Sequence, residues 1–143
     1  MPVEGRRPLA LIAIAAVYLF SLLLSSESFG DPFPFMGRFY SGRIAECLVF
    51  ADSLASLYLV IGILKRQRLT VWLMIAYNLV DLLSACLNLA FISPDEYARF
   101  CEGPIPQGAV LANTLFAAAV LVLISAYVFR NRRHFNNTSP YLF

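Results

Sequence analysis

Charged residues are scarce in this sequence. Of 143 residues, 14% are Asp, Glu, Lys or Arg, whereas 59% are hydrophobic. A soluble domain of this size has about 25% charged and about 45–50% apolar residues. The composition therefore excludes an ordinary soluble domain and predicts a single domain, residues 1–143, that lies almost wholly within a membrane.

Groups that hold metals, haem or nucleotides are lacking as well. The sole histidine, His134, lies in a basic C-terminal segment, and Cys47, Cys86 and Cys101 form no CxxC pair. There is no glycine-rich phosphate loop, so no cofactor is predicted. No basic patch is interleaved with exposed aromatics, so nucleic-acid binding is not predicted either. Two interpretations of the cysteines stay open: free thiols that act as small apolar residues, or a disulfide between Cys47 and Cys101.

Four long apolar stretches are present, at residues 8–25, 44–64, 69–92 and 109–129. Each is close to the roughly 20 residues that a helix needs to cross the hydrocarbon core. Lipid offers no partner for a bare peptide group, so each stretch is expected to be helical. The sequence predicts an all-α bundle of four transmembrane helices. Because the second and third stretches are joined only by residues 65–68, they are expected to form a tight antiparallel hairpin.

The basic residues are distributed asymmetrically, and this distribution predicts the orientation. Eight of the eleven fall on one side of the predicted membrane: Arg6, Arg7, Lys65, Arg66, Arg68, Arg130, Arg132 and Arg133. Only Arg38, Arg43 and Arg99 fall on the other side. Short cytoplasmic loops carry the excess of Lys and Arg, so both termini are predicted to be cytoplasmic. The compact loops favour a bacterial inner membrane.

A second interpretation of the first stretch is a secretory signal. Arg6 and Arg7 precede an apolar run that ends in the small residues Ser26 and Ser28, a pattern that also fits a cleavable leader. Cleavage would leave three spans with unchanged orientation.

The external segment 26–42 is rich in aromatic residues and proline: Phe29, Pro32, Phe33, Pro34, Phe35, Phe39 and Tyr40. One interpretation is an aromatic belt at the level of the lipid headgroups. The other is a lid over a cavity that opens outward.

Polar residues inside the second and third spans are the strongest functional signal. The second span contains Glu46, Asp52, Ser53 and Ser56, and the third contains Asn78, Asp81, Ser84 and Asn88. At 100° per residue, each set falls on one face of its helix. Asp52 and Asp81 are predicted to face each other near the bilayer middle, with Tyr18, Tyr58 and Tyr77 as possible hydroxyl neighbours.

The two acids have no Lys, Arg or His at their depth. An ionised carboxylate at the centre of a bilayer costs about 2.5–3.5 kcal/mol on the insertion scale, and two like charges at close range do not both ionise cheaply. We therefore expect the pair to hold one proton or one cation at neutral pH. The competing interpretation is structural, because polar side chains also join membrane helices at about 0.6 kcal/mol each.

The resulting candidates for ligand or ion binding are Asp52, Asp81, Asn78, Asn88, Ser53, Ser56, Glu46 and, near the start of the fourth span, Asn113. Three functions remain open. The first is a non-enzymatic subunit that packs with partners or binds lipid, either as a homo-oligomer or in a larger membrane complex. The second is a small proton- or cation-coupled transporter or channel subunit that uses Asp52 and Asp81. The third is an enzyme acting on a lipid-soluble substrate.

Overall fold

The computed structural model describes residues 9–101, 103, 105–139 and 141. The predicted start of the first span at Pro8, and the charges of Arg6 and Arg7, lie outside the described residues. In chain order the elements are α1 (Leu9–Glu27), β1 (Phe33–Phe35), β2 (Arg38–Tyr40), α2 (Arg43–Leu64), α3 (Arg68–Phe91), α4 (Pro94–Phe100), α5 (Gln107–Arg130) and a 3₁₀ turn (Arg132–His134).

Four of the helices, α1, α2, α3 and α5, are long and apolar enough to cross a membrane. The prediction of a mostly helical chain with four such segments is confirmed. The observed ends differ from the predicted ones by at most two residues. Large apolar side chains such as Phe20, Leu79 and Phe116 are exposed on the outer surfaces of these helices, as a lipid-facing surface requires.

Three features were not predicted, the 3₁₀ turn among them, and the first is a small β-hairpin inside segment 26–42. Phe33 pairs with Tyr40 and Phe35 with Arg38 in an antiparallel register. The two-residue turn has positive φ at both Met36 (49°) and Gly37 (83°), the backbone geometry that closes a tight hairpin. An isolated two-stranded hairpin is at best marginally stable in water, so this one depends on its contacts with the helices.

The second unpredicted element is the short helix α4. Its N-cap is Ser93, whose side chain accepts a hydrogen bond from the Glu96 amide, and Pro94 occupies the first turn, where its missing N–H costs nothing. The ring of Phe39 on β2 packs against Phe100 of α4 at 4.6 Å between centroids. The β-hairpin is therefore in contact with α4 as well as with α2 and α3.

The apolar core lies toward one end of the bundle. The most extensive helix pairings are α1 with α2 and α3 with α5. The core residues are Leu11, Ile14, Ala15, Tyr18, Leu59, Val60, Ile63, Val71, Met74, Ile124, Val128 and Phe135. We call this end, which includes the α2–α3 connection and the end of α5, the basic end. The opposite end, where β1 and β2 lie, is the β-hairpin end.

The C-terminal segment folds back onto the connection between α2 and α3. Asn137 accepts a hydrogen bond from the Arg68 amide (2.8 Å) and donates its own amide to the Arg66 carbonyl (3.1 Å). The Gln67 side chain donates to the Tyr141 carbonyl at 2.6 Å, and Phe135 is only 2% exposed. The segment after α5 is thus tied to the start of α3.

Helices α2 and α3 approach each other very closely at the basic end. A Cβ atom built on Gly62 would lie 1.9 Å from Oγ1 of Thr70 and 2.9 Å from its Cβ. Thr70 is completely buried, so its side chain has no room to move aside. Glycine is therefore required at position 62 for the helices to meet.

We expect Gly62→Ala to lower the thermal stability of the protein in detergent, because overpacking a close contact costs about 1–3 kcal/mol. The companion change Thr70→Ala should recover part of the loss, because it removes the contact with Oγ1 but leaves the Cβ at 2.9 Å. The matched control is Gly108→Ala in α5, where the added Cβ meets nothing within 4 Å and alanine favours the helix. Unfolding followed by Trp72 fluorescence measures all of these variants. Equal melting temperatures for the two single variants would contradict the close contact.

Candidate ligand site between α2 and α3

A cavity of about 340 Å³ lies between α2 and α3 at the β-hairpin end. Its walls are formed by Phe33, Pro34, Phe35, Leu48, Ala51, Asp52, Ala55, Tyr77, Val80, Asp81, Ser84, Ala85 and Asn88. Two of these residues, Ala51 and Val80, are also exposed on the outer surface of their helices. The cavity therefore adjoins the surface that faces lipid.

The polar wall of the cavity comes from one face of α3. Tyr77, Asp81, Ser84 and Asn88 follow each other at helical spacing and all contribute to the lining. On α2, Leu48, Asp52 and Ala55 form the opposing wall in the same way. The predicted polar stripe of α3 thus faces α2 along most of its length.

Asp52 is held by hydroxyl groups from two other helices. The hydroxyl of Ser25, near the end of α1, donates to Oδ2 at 2.7 Å, and the hydroxyl of Tyr77 on α3 donates to Oδ1 at 2.5 Å. The Tyr77 oxygen also lies 3.2 Å from Oγ of Ser56. Both carboxylate oxygens of Asp52 are therefore hydrogen-bonded, and the hydroxyls connect α1, α2 and α3 around one acid.

Asp81 lies one helical turn beyond Tyr77 and faces the same cavity. It is close enough to Asp52 for the two charges to interact. Among the described residues that line the cavity there is no Lys, Arg or His. Two carboxyl groups thus share a cavity that contains no positive charge.

Both acids lie far from the ends of their helices. Asp52 is nine residues after Arg43, the first residue of α2, and Asp81 is ten residues before Phe91, the last of α3. At about 1.5 Å per residue these positions are roughly 14 and 15 Å from the helix ends. In a hydrocarbon core about 30 Å thick, this is close to the middle.

The β-hairpin covers the cavity, and Ser84 together with the predicted ligand residue Asn88 holds it there. Ser84 accepts a hydrogen bond from the Met36 amide (3.1 Å), and Oδ1 of Asn88 accepts one from the Gly37 amide (2.7 Å). The Asn88 side chain also donates to the Pro34 carbonyl. These contacts agree with the interpretation of segment 26–42 as a lid, and they give Ser84 and Asn88 a structural role.

Asn78 points away from the cavity and joins three helices. Its Oδ1 accepts a hydrogen bond from the Tyr18 hydroxyl at 2.6 Å, and its Nδ2 donates to Oγ of Ser125 at 2.9 Å. Asn78 is 3% exposed and Tyr18 is 3% exposed. The side chain is therefore a buried link between α1, α3 and α5, as the structural interpretation of the polar residues expects.

The remaining sequence candidates do not line the cavity. Ser56 is buried beside Tyr77, Glu46 and Ser53 are half-buried elsewhere on α2, and Asn113 is exposed on α5.

The cysteines form no bridge in the structure. Cys47, Cys86 and Cys101 are all exposed free thiols. The alternative of a disulfide between Cys47 and Cys101 is therefore not realised here.

Several residues that shape the site were not identified from the sequence. Ser25 lies in the serine pair at the end of the first apolar stretch, and Ser125 is flanked by apolar residues in the fourth. A serine within a predicted span was the signal that would have found them. Phe33 and Phe35 belong to the segment interpreted as a lid, whereas the contribution of the Met36 amide depends on the turn at Met36 and Gly37 and has no comparable sequence signal.

No protein-family model, curated protein or solved structure matches this chain.

Replacing Asn78 should lower the free energy of unfolding of the helix bundle. In Asn78→Ala the Tyr18 hydroxyl loses its buried acceptor, and such interhelical bonds contribute about 0.6 kcal/mol on average and up to about 1.7 kcal/mol. A double-mutant cycle with Tyr18→Phe, measured by reversible unfolding in mixed micelles, should give a coupling energy in this range. Asn113→Ala is the control, because Asn113 is exposed. A coupling energy near zero would contradict the Tyr18–Asn78 link.

The two contacts that hold the β-hairpin can be tested one at a time by hydrogen exchange. Asn88→Ala should accelerate exchange of the Gly37 amide, whereas Ser84→Ala should accelerate exchange of the Met36 amide, because each variant removes the acceptor of that amide. Amide-resolved exchange of the protein in micelles measures both. If neither variant changes these amides, the β-hairpin is held by other contacts.

Proposed function

We propose that this chain is a small multi-pass membrane protein with a non-enzymatic, ligand-binding role, and that its ligand is an amphiphile with a positively charged head. The observation that carries the proposal is the cavity between α2 and α3, where Asp52 and Asp81 share a space without a cationic side chain. An accessory subunit of a larger assembly is one form that this role can take.

The chemistry of the cavity favours a cation as the bound group. Carboxylates in the middle of a membrane are stabilised by a partner of opposite charge, and the cavity supplies none. Phe33, Phe35 and Tyr77 add aromatic walls, and aromatic faces attract organic ammonium groups. Both oxygens of Asp52 already accept hydroxyl donors, whereas among the described hydroxyls Asp81 interacts with that of Tyr77 alone, so Asp81 is the acid better placed to pair with a ligand.

The position of the cavity favours an amphiphile over a water-soluble cation. The β-hairpin covers the cavity with Phe33 and Phe35, while Ala51 and Val80 connect it with the lipid-facing surface. A ligand that enters from the bilayer can keep its apolar tail in lipid while its head reaches the acids. The cavity volume of about 340 Å³ is at the lower end of the range for small-molecule sites, about 300–1,000 Å³.

The proposal also includes the orientation of the chain in the membrane. The excess of Lys and Arg at the basic end favours cytoplasmic termini, with α2 and α3 as a tight hairpin and the cavity in the outer half of the membrane. A bacterial inner membrane is the proposed location. Since α5 buries little of its surface within the chain, we also propose that it contacts a second copy or another membrane protein.

A second candidate function is a small proton- or cation-coupled transporter or channel subunit. The hydroxyls of Tyr77 and Ser56 extend from Asp52 toward the basic end, as a proton relay would. Beyond Ser56, however, Leu59, Ile63 and Met74 are at most 2% exposed and supply no polar group. This apolar barrier favours binding over transport.

Asp81→Asn should abolish most ligand binding without unfolding the protein. A charge-assisted hydrogen bond contributes about 1.5–3 kcal/mol, so the affinity for a spin-labelled long-chain alkylamine in zwitterionic vesicles should fall about tenfold or more. Acidification that protonates the acids should weaken binding by the wild type but have less effect on Asp81→Asn. Electron paramagnetic resonance of the immobilised label measures the bound fraction.

Two controls separate the possible outcomes. Asp95→Asn removes an exposed acid on α4 and should leave binding unchanged, and a spin-labelled alcohol of equal chain length should bind weakly to all variants. Equal binding of amine and alcohol would reject the cationic head group. Vesicle flux that depends on a pH gradient and disappears in Asp81→Asn would instead establish the transporter alternative.

A further inference from the structure

A second cavity lies at the basic end, far from the two acids and independent of the function proposed above. It has a volume of about 710 Å³ and is lined by Arg68, Val71, Trp72, Arg132, Arg133, Phe135 and Asn136. Three arginines therefore converge on one cavity, and no acidic side chain is among the described residues that line it.

The arginines are brought together by the fold of the C-terminal segment. Arg68 begins α3, whereas Arg132 and Arg133 follow α5. The Arg68 amide donates to the Asn137 carbonyl at 2.8 Å, and Phe135 is buried in the core between them. The backbone around the cavity is thus fixed by hydrogen bonds and by a buried aromatic ring, and it does not depend on arginine charges for its shape.

Aromatic side chains orient one of the arginines. The guanidinium carbon of Arg132 lies 4.4 Å from the ring centroid of Phe129, and that ring packs edge-to-face with Trp72 at 6.1 Å. A planar guanidinium held over an aromatic ring keeps its N–H groups, which point outward in the plane of the guanidinium, free for hydrogen bonding. This geometry suits the oxygens of a phosphate group.

The cavity also adjoins the lipid-facing surface at the level where a helix leaves the membrane. Trp72 is 58% exposed and lies one turn into α3, and tryptophan is enriched at the depth of the lipid headgroups. A phosphate that binds here can therefore be attached to acyl chains that extend along Trp72.

We propose that this cavity binds the head group of an anionic phospholipid, with Arg68, Arg132 and Arg133 around the phosphate and Trp72 beside the start of the acyl chains. The chemistry recognised is a phosphate ester whose charge is not balanced by an ammonium group, and the source is the surrounding membrane.

The single tryptophan of the chain makes the proposal directly measurable. The full-length protein is reconstituted in vesicles of phosphatidylcholine with a fraction of brominated phosphatidylglycerol or, in parallel, of brominated phosphatidylcholine. Bromine quenches only nearby tryptophan, so Trp72 reports on the lipid in its cavity. We expect stronger quenching by the brominated anionic lipid, which gives a relative binding constant for the two lipids.

Single-residue variants distinguish lipid binding in this cavity from attraction by the overall charge of the surface. A charge-assisted hydrogen bond contributes about 1.5–3 kcal/mol, so Arg132→Gln or Arg133→Gln should lower the preference for the anionic lipid about tenfold or more. Arg132→Lys keeps the charge but loses the planar contact with Phe129, and should give an intermediate preference. Arg130→Gln removes the same charge from the same segment, but Arg130 does not line the cavity, so the preference should not change.

Three outcomes would overturn the proposal. Equal loss in Arg130→Gln and Arg132→Gln would show that only the overall charge matters. Equal quenching by both brominated lipids in the wild type would show that no head group is selected. If inorganic phosphate added to the vesicles removes the preference for the anionic lipid, the cavity binds free phosphate rather than a lipid.

Discussion

Two carboxyl groups near the middle of membrane-length helices, with no Lys, Arg or His among the described residues that line their cavity, are the constraint to which the rest of this structure responds. Asp52 is stabilised by neutral donors, the hydroxyls of Ser25 and Tyr77. These donors come from α1 and α3, so the same bonds that stabilise the acid also fix three helices relative to one another. Asp81 has the cavity in front of it. The bundle therefore satisfies both oxygens of Asp52 with its own hydroxyls, whereas Asp81 shares only the Tyr77 hydroxyl and faces the cavity.

The two ends of the bundle differ in how closely α2 and α3 pack against each other. At the basic end, Gly62 allows α2 and α3 to approach until Thr70 touches the α2 backbone, and the core there is apolar and closely packed. At the other end the same helices are separated by a β-hairpin whose tip is bonded to α3 through Ser84 and Asn88. The close Gly62–Thr70 contact at one end and the bonded β-hairpin at the other fix the position of the cavity. A preorganised cavity favours selective binding.

Hydrophobicity alone predicted the four long helices to within two residues, because lipid requires internally hydrogen-bonded segments of a fixed length. Helical periodicity placed Asp52 and Asp81 on inward faces, and both line one cavity. Periodicity does not report the partner of each polar group, so Asn78 shared a predicted stripe with Asp81 although it faces Tyr18 and Ser125. The β-hairpin was missed because its turn depends on positive φ at Met36, a residue type that rarely signals such a turn.

The bond between Tyr18 and Asn78 has a consequence for how the protein is made. Its partners are 60 positions apart, so α1 leaves the ribosome and enters the membrane well before α3 has been synthesised. During that interval the Tyr18 hydroxyl lacks the acceptor that it has in the finished bundle, whereas Asp52, the acceptor of the Ser25 hydroxyl, already arrives with α2. The hydrogen bonds of α1 to its neighbours are therefore complete only after α3 has been synthesised.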